Sequence, residues 1–296
     1  MKVIALSLLV GLLGAVEPAR AQEVEPAPLK RPWHQFLSAY KPNYFLLGFN
    51  ENDQVKFQIS LKYELWASND ETGGPHAVYL AFSERSLWRL YDKSFPFEEA
   101  NYNPELFYAH MHYAPDEELR PGCGLYRERI AVEHESNGKA DRTSKSLNRT
   151  YAEVTGLCAF ADGNYIGATL HVWGYPWGIS ENPSQPDFTG PGELTLTAGR
   201  EDTGRWYGYG DINVMVRKGF KGGLDKGAMQ IDAKWHPSRG SLAAMIWPLN
   251  VYLYAQYFTG YGEMLSRYER GNSSFRLGLG MSDRGRLYDE AQGTKL

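Results

Sequence analysis

His134-Glu135-Ser136-Asn137-Gly138, followed ten residues later by Asn148-Arg149, combines residue types suited to acyl transfer. A serine hydroxyl is a weak nucleophile until an imidazole takes its proton, and that imidazole needs a third group to fix its tautomer. From Tyr126 the even positions read Tyr126, Glu128, Ile130, Val132, His134, Ser136, and the odd ones Arg127, Arg129, Ala131, Glu133, Glu135. On a strand these are opposite faces. Asn148, Thr150, Ala152 and Val154 repeat the split against Arg149, Tyr151 and Glu153. A hairpin with His134 opposite Asn148 has an index sum of 282 and puts Ser136, His134 and Asn148 on the less charged face. That face suits an enzyme whose substrate lies in a membrane. By itself, a His two residues from a Ser on a strand is more often surface decoration; the register with Asn148 is what gives the pair meaning.

The elements that must position these residues are strands. Val55 to Leu65 is apolar at every odd residue and polar at every even one, the pattern of a membrane strand. Similar segments lie near 43–50, 53–66, 76–90, 103–114, 124–136, 147–158, 164–175, 192–201, 206–218, 226–236, 247–260 and 273–282. The expected fold is therefore all-β, a single antiparallel transmembrane β-barrel of about twelve strands over 43–282. Connections near 67–75, 115–123, 159–163 and 219–225 read as Gly- or Pro-containing turns at one end. Those near 91–102, 137–146 and 176–191 carry more specific chemistry; with a periplasmic N-terminus they are extracellular, and the site faces the outer leaflet.

Composition agrees. Apolar residues make up 43% and mean hydropathy is negative, as for a barrel whose lumen face dilutes the membrane signal. Twenty Tyr, 8 Trp and 31 Gly in 296 residues suit aromatic girdles and tight turns. Trp66, Trp88, Trp173, Trp177 and Trp247 read as interfacial anchors. A net charge of −4 argues against nucleic acid as a partner. Residues 1–21 read as a secretory signal, with an apolar run from Val3 to Val16 and small residues at Ala19 and Ala21; that run is short of the roughly 20 residues a membrane helix needs. Residues 22–42, Pro-rich and charged from Glu23 to Pro32, read as an N-terminal linker, and 283–296 as a polar tail outside the barrel. Cys123 and Cys158 have an index sum of 281, one from that of the catalytic pairing. The residues leave open a disulfide there or two buried thiols. His110 and His112 share a strand face, but two ligands are too few for a metal.

His134-x-Ser136-Asn137-Gly138, a five-residue gap, then Ser144-x-Ser146-x-Asn148-Arg149 resembles the signature of the outer-membrane phospholipase A family. Val55 to Leu61, Pro96-Phe97 with Asn101-Tyr102-x-Pro104, and Gly260-Tyr261-Gly262-Glu263 resemble it too, so the likeness runs from about Asn43 to Ser282. The resemblance implies hydrolysis of acyl esters of phospholipids and lysophospholipids, at A1 and A2 positions, in the outer membrane. It implies Ser136 as nucleophile, His134 as general base, Asn148 as the orienting residue and the Gly138 amide at the oxyanion. It further implies Ca²⁺, bound by the Ser144 hydroxyl and Lys139 carbonyl of one chain and the Ser94 carbonyl of a second, with Glu181 in the Glu181-Asn182-Pro183 turn as a further ligand. A reversible homodimer is thereby implied.

This chain departs from the family pattern at Glu181, where the family has Asp, at Lys139, where it has Arg, and at Glu84, where a glutamine helps pair subunits. A carboxylate at Glu84 on a membrane face must be protonated or hydrogen-bonded, or else disrupt pairing. Loop residues such as Ser94 and Glu181 more often meet only water. The competing functions are a passive outer-membrane barrel, porin or scaffold, without catalysis, and, less well matched to polar-in strands, a soluble barrel that binds a ligand.

Overall fold

The computed structural model describes residues 36–49, 55–70, 74–94, 96–112, 121–140, 143–201, 208–222, 225–238 and 251–281. The expected signal segment, Glu23 to Pro32, Trp247 and the tail from 283 lie outside the described residues.

Alternating side chains build thirteen strands among the described residues: β1 (Leu37–Ala39), β2 (Asn43–Gly48), β3 (Val55–Asp70), β4 (Gly74–Trp88), β5 (Phe97–Met111), β6 (Gly122–Ser136), β7 (Ser146–Ala159), β8 (Asn164–Gly174), β9 (Gly192–Arg200), β10 (Tyr209–Lys218), β11 (Gly227–His236), β12 (Val251–Gly260) and β13 (Asn272–Met281). A short helix, α1 (Gln185–Thr189), lies between β8 and β9. Strands β2 to β13 pair antiparallel in chain order, and β2 closes on β13, giving the expected twelve-stranded barrel. Closure leaves none of these twelve as a free edge, as strands in lipid require.

Burial is inverted relative to a soluble protein. On β3, Lys56, Ser60 and Lys62 are buried in the lumen while Ile59 is 56% exposed on the outside. Phe45, Leu80, Phe82, Leu106, Ile130, Leu170, Leu196 and Leu277 continue the outer apolar band. Inside, charges meet in pairs: Lys56 and Arg276 on Glu263, Arg127 and Arg129 on Glu153, Arg149 on Glu133 and Glu135. The lumen keeps a polar cavity of about 460 Å³ lined by such groups, the wrong chemistry for an apolar ligand.

Three features depart from the sequence reading, and a fourth decides what it left open. First, the stretch 22–42 is not linker to its end: Leu37–Ala39 pairs with Tyr63–Leu61 of β3, on the same edge that β2 then occupies. Three residues carry too little alternation to be read as a strand. The kink between β1 and β2 turns Tyr40 and Lys41 into the lumen, where Tyr40 stacks on Phe107 and receives a hydrogen bond from Arg129, and Lys41 meets Glu105 and Glu133. Second, strand parity puts the connection around 219–225 at the same end as 89–96, 137–145 and 175–191, not with the opposite turns. Third, Trp173 is no interfacial anchor: it is buried in the lumen beside Tyr151 and His171, under the Arg149 guanidinium at 5.7 Å. Its strand sends Ile166, Leu170 and Val172 outward, so its neighbour parity sends Trp173 inward. Trp66 and Trp177 are exposed, and Trp88 is half-buried against Phe97.

Fourth, Cys123 and Cys158 form a disulfide. A bulge between Leu125 and Arg127 shifts the β6–β7 register by one residue, so the pairing that sets His134 opposite Asn148 sets Cys123 opposite Cys158.

Candidate active site

Strand β6 ends at Ser136 and β7 begins at Ser146, so the hairpin holds both halves of the motif at one end of the barrel. The register pairs His134 with Asn148 and Ser136 with Ser146. His134 Nδ1 lies 2.8 Å from Asn148 Oδ1. An amide oxygen only accepts, so Nδ1 carries a proton, and in the neutral ring Nε2 keeps its lone pair. Ser136, His134 and Asn148 are all half-buried on the outer face.

The lumen side of the same strands fixes their backbone. Arg149 bonds Glu133 at 2.7 Å and Glu135 at 3.1 Å, and Asn103 Nδ2 donates to the His134 carbonyl at 2.9 Å. Alternation therefore divides the labour, with chemistry outward and a charged scaffold inward.

Beyond Ser136 the chain must turn sharply. Gly138 has φ of 61°, a left-handed value that favours glycine, and a Cβ there would approach Tyr102 Cε2 to 2.7 Å. Asn137, 4% exposed, staples the turn: its Nδ2 donates to the Thr143 carbonyl, and its Oδ1 accepts from the amides of Lys139 and Lys145. Asn137 stands inside the signature, but nothing in the residue types alone signals this stapling role.

The connection from β8 to β9 lies against this turn. Asn182, fully buried, donates to the Ser146 carbonyl at 3.0 Å, and Lys145 Nζ donates to the Glu181 carbonyl at 2.9 Å. Glu181 thus reaches the hairpin: its Oε2 accepts from Ser146 Oγ at 2.8 Å and Ser144 Oγ at 3.3 Å. These hydroxyl and carboxylate oxygens are hard donors of the kind Ca²⁺ takes, so the donor set fits that ion. Ser146 was not among the expected ligands. The side chain of Lys139 donates to the Glu98 carbonyl at 3.3 Å. Ser94 sits in the connection from β4 to β5 and is the one non-glycine with positive φ, 85°, among the described residues.

The neighbouring connection braces the arrangement. Glu99 accepts from the Leu265 and Ser266 amides, folding 261–271 into the lumen mouth, and Tyr268 meets Ser184 Oγ at 2.8 Å beside α1. Burial pushes the Glu263 carboxyl up, but Lys56 at 3.1 Å and Arg276 outweigh it and hold it at about 2. On the outer face Glu84 accepts a hydrogen bond from Ser86 Oγ, which satisfies one carboxylate oxygen. Glu84 pairs with Tyr102, and Tyr102 with Ser136, so all three share one row across β4, β5 and β6.

Comparison with known proteins places the whole described barrel in one family. The phospholipase A1 family model matches residues 28–282. Phospholipase A1 of Escherichia coli K12 is 27% identical over 234 residues, covering 78% of this chain and 70% of the relative, and that of Salmonella typhimurium is 29% identical with the same coverage. A putative phospholipase A1 of Neisseria meningitidis is 26% identical over 288 residues, 92% of this chain and 66% of the relative. The fold is that of Escherichia coli outer membrane phospholipase A, with a TM-score of 0.63 at 22% identity, covering 86% of this chain and 93% of the solved one. The Salmonella typhi enzyme, solved as a dimer with bound calcium, gives 0.61 at 22% identity, covering 82% and 91%. The chain belongs to the phospholipase A1 family and is a phospholipase with the barrel fold of outer membrane phospholipase A.

Proposed function

We propose that the enzyme hydrolyses acyl ester bonds of phospholipids and lysophospholipids, at A1 and A2 positions, with Ser136, His134 and Asn148 as its catalytic residues. The observation that carries this reading is the 2.8 Å contact between His134 Nδ1 and Asn148 Oδ1. It leaves Nε2 as the base. Ser136 Oγ attacks the ester carbonyl as its proton passes to His134 Nε2, and the oxyanion takes a hydrogen bond from the Gly138 amide. Collapse breaks the C–O bond; the imidazolium gives its proton to the departing lysolipid hydroxyl, leaving an acyl group on Ser136. Water, deprotonated by His134, then releases the fatty acid and restores the serine. Asn148 orients the ring but carries no charge, so the imidazolium needs electrostatic help from elsewhere.

Ser144, Glu181 and the Lys139 carbonyl, with the Ser94 carbonyl of a second copy, would hold Ca²⁺, which would supply positive charge to stabilise the oxyanion. The neighbour solved as a calcium-bound dimer supports this assignment. A site completed by a second chain is silent in a monomer, which protects the membrane that surrounds it. The site faces the outer leaflet. A passive channel has less support, because 261–271 folds into the lumen mouth and is anchored there by Glu99. The test is fatty-acid release from detergent-dispersed phospholipid by purified protein, with calcium and with chelator. Release that calcium supports and chelator stops is expected; no release under either condition contradicts the proposal.

A further inference from the structure

His110 and His112 on β5 gain a third group from the next strand. Glu128 on β6 pairs with His110, and its Oε2 lies 3.3 Å from His110 Nδ1 and 3.2 Å from His112 Nε2. The three donor atoms all lie within 4.8 Å of one another, and this is the one such group among the described residues. Two imidazole nitrogens converging on one carboxylate oxygen is the geometry of shared ligation. With metal–ligand bonds of about 2.0–2.1 Å, tetrahedral donors sit about 3.3–3.4 Å apart, close to the two nitrogen–carboxylate separations already present.

The surroundings suit an ion. His76 on β4 pairs with His110 and stacks flat on it, ring centroids 4.2 Å apart and planes 6° apart, while its Nδ1 meets the Tyr108 hydroxyl. That stack restrains the plane of the His110 ring. Burial of the donors is partial, the side chains of His110, His112 and Glu128 being 18%, 27% and 45% exposed, so the site is reachable. All three point outward at the end of the barrel away from Ser136. His110 is eight residues along β5 from Tyr102, which pairs with Ser136; at about 3.4 Å per residue that is roughly 27 Å along the strand. Polar side chains on a lipid-side face are costly unless gathered by a partner.

We propose that His110, His112 and Glu128 form a binding site for a borderline divalent metal ion, Zn²⁺, separate from the calcium chemistry at Ser136. Two nitrogens and one carboxylate select such an ion over calcium, which takes oxygen donors. Bound there, the ion ties β5 to β6 at the end where the Cys123–Cys158 disulfide ties β6 to β7.

The experiment is equilibrium dialysis of the purified, folded barrel against Zn²⁺, with excess Ca²⁺ present throughout, and metal counted by mass spectrometry. The wild type should retain about one Zn²⁺ per chain, and His110→Ala, His112→Ala and Glu128→Gln should each weaken retention at least about tenfold. Zinc-edge X-ray absorption on the wild type should show two imidazoles, a reading that does not depend on any variant folding. Absence of zinc from the wild type, unchanged retention in folded His110→Ala and His112→Ala, or fewer than two imidazoles around the ion overturns the site.

Discussion

At the scale of single residues, orientation and proton transfer are separable. His134 is the proposed base, whereas Asn148 makes one hydrogen bond to it at 2.8 Å. Losing a hydrogen bond to a group that becomes charged costs about 1.5–3 kcal/mol, so Asn148→Ala should lower turnover about ten- to hundredfold. His134→Ala removes the base itself and should cost at least about 10⁴-fold. Steady-state rates of the two variants decide it; equal, complete loss would mean that Asn148 does more than orient. Glu181 belongs to the same scale. It accepts from Ser144 and Ser146, so Glu181→Ala should raise the calcium concentration for half-maximal activity about tenfold, the equivalent of one charge-assisted contact. An unchanged calcium titration would remove Glu181 from the metal site. The carboxylate could be picked out of the chain by its place before Asn182-Pro183, but Ser146 could not, because its role depends on Glu181 folding back across the hairpin.

At the scale of elements, the connection 261–271 is held by charges. The Glu263 carboxyl, at about 2 in the folded protein against an ordinary 4.5, contributes stability that is present above pH 4.5 and lost as pH falls toward 2. Glu263→Gln should therefore destabilise the barrel near neutral pH by a few kcal/mol, with a penalty that shrinks between pH 4.5 and 2. Thermal unfolding in detergent across that range measures it, and a penalty independent of pH would contradict the ion-pair account. The strands themselves were legible because alternation is a direct projection of lipid against lumen: β3 reads cleanly from Val55 as far as the register shift at Glu64, and so does the pairing of His134 with Asn148. What alternation does not encode is where it slips. The bulge beside Tyr126 decides the disulfide, yet it leaves only a one-residue mismatch in the index sums. For the same reason Glu128 was not seen as a partner of His110: the β5–β6 register has no motif to anchor it. Trp173 was misread because an aromatic residue serves a lumen core as well as a membrane interface.

At the scale of the whole molecule, an active site on the outer wall must be kept silent until wanted, and the proposed completion by a second barrel would do this. Turnover at saturating calcium should rise with protein-to-detergent ratio in step with cross-linked dimer; full activity in a monomeric preparation would defeat the dimer account. Glu84, in the same row as Tyr102 and Ser136, puts a carboxylate on the wall where barrels would meet. Glu84→Gln should shift that activation to a lower protein-to-detergent ratio, since a neutral amide costs less to bury than a carboxylate. The most direct measurement concerns Ser136. Ser136→Ala, compared with wild type for both heat-modifiable gel mobility and fatty-acid release at saturating calcium, should keep the mobility of a folded barrel and lose at least about 10³-fold in turnover. Wild-type release from a folded Ser136→Ala barrel would contradict the account.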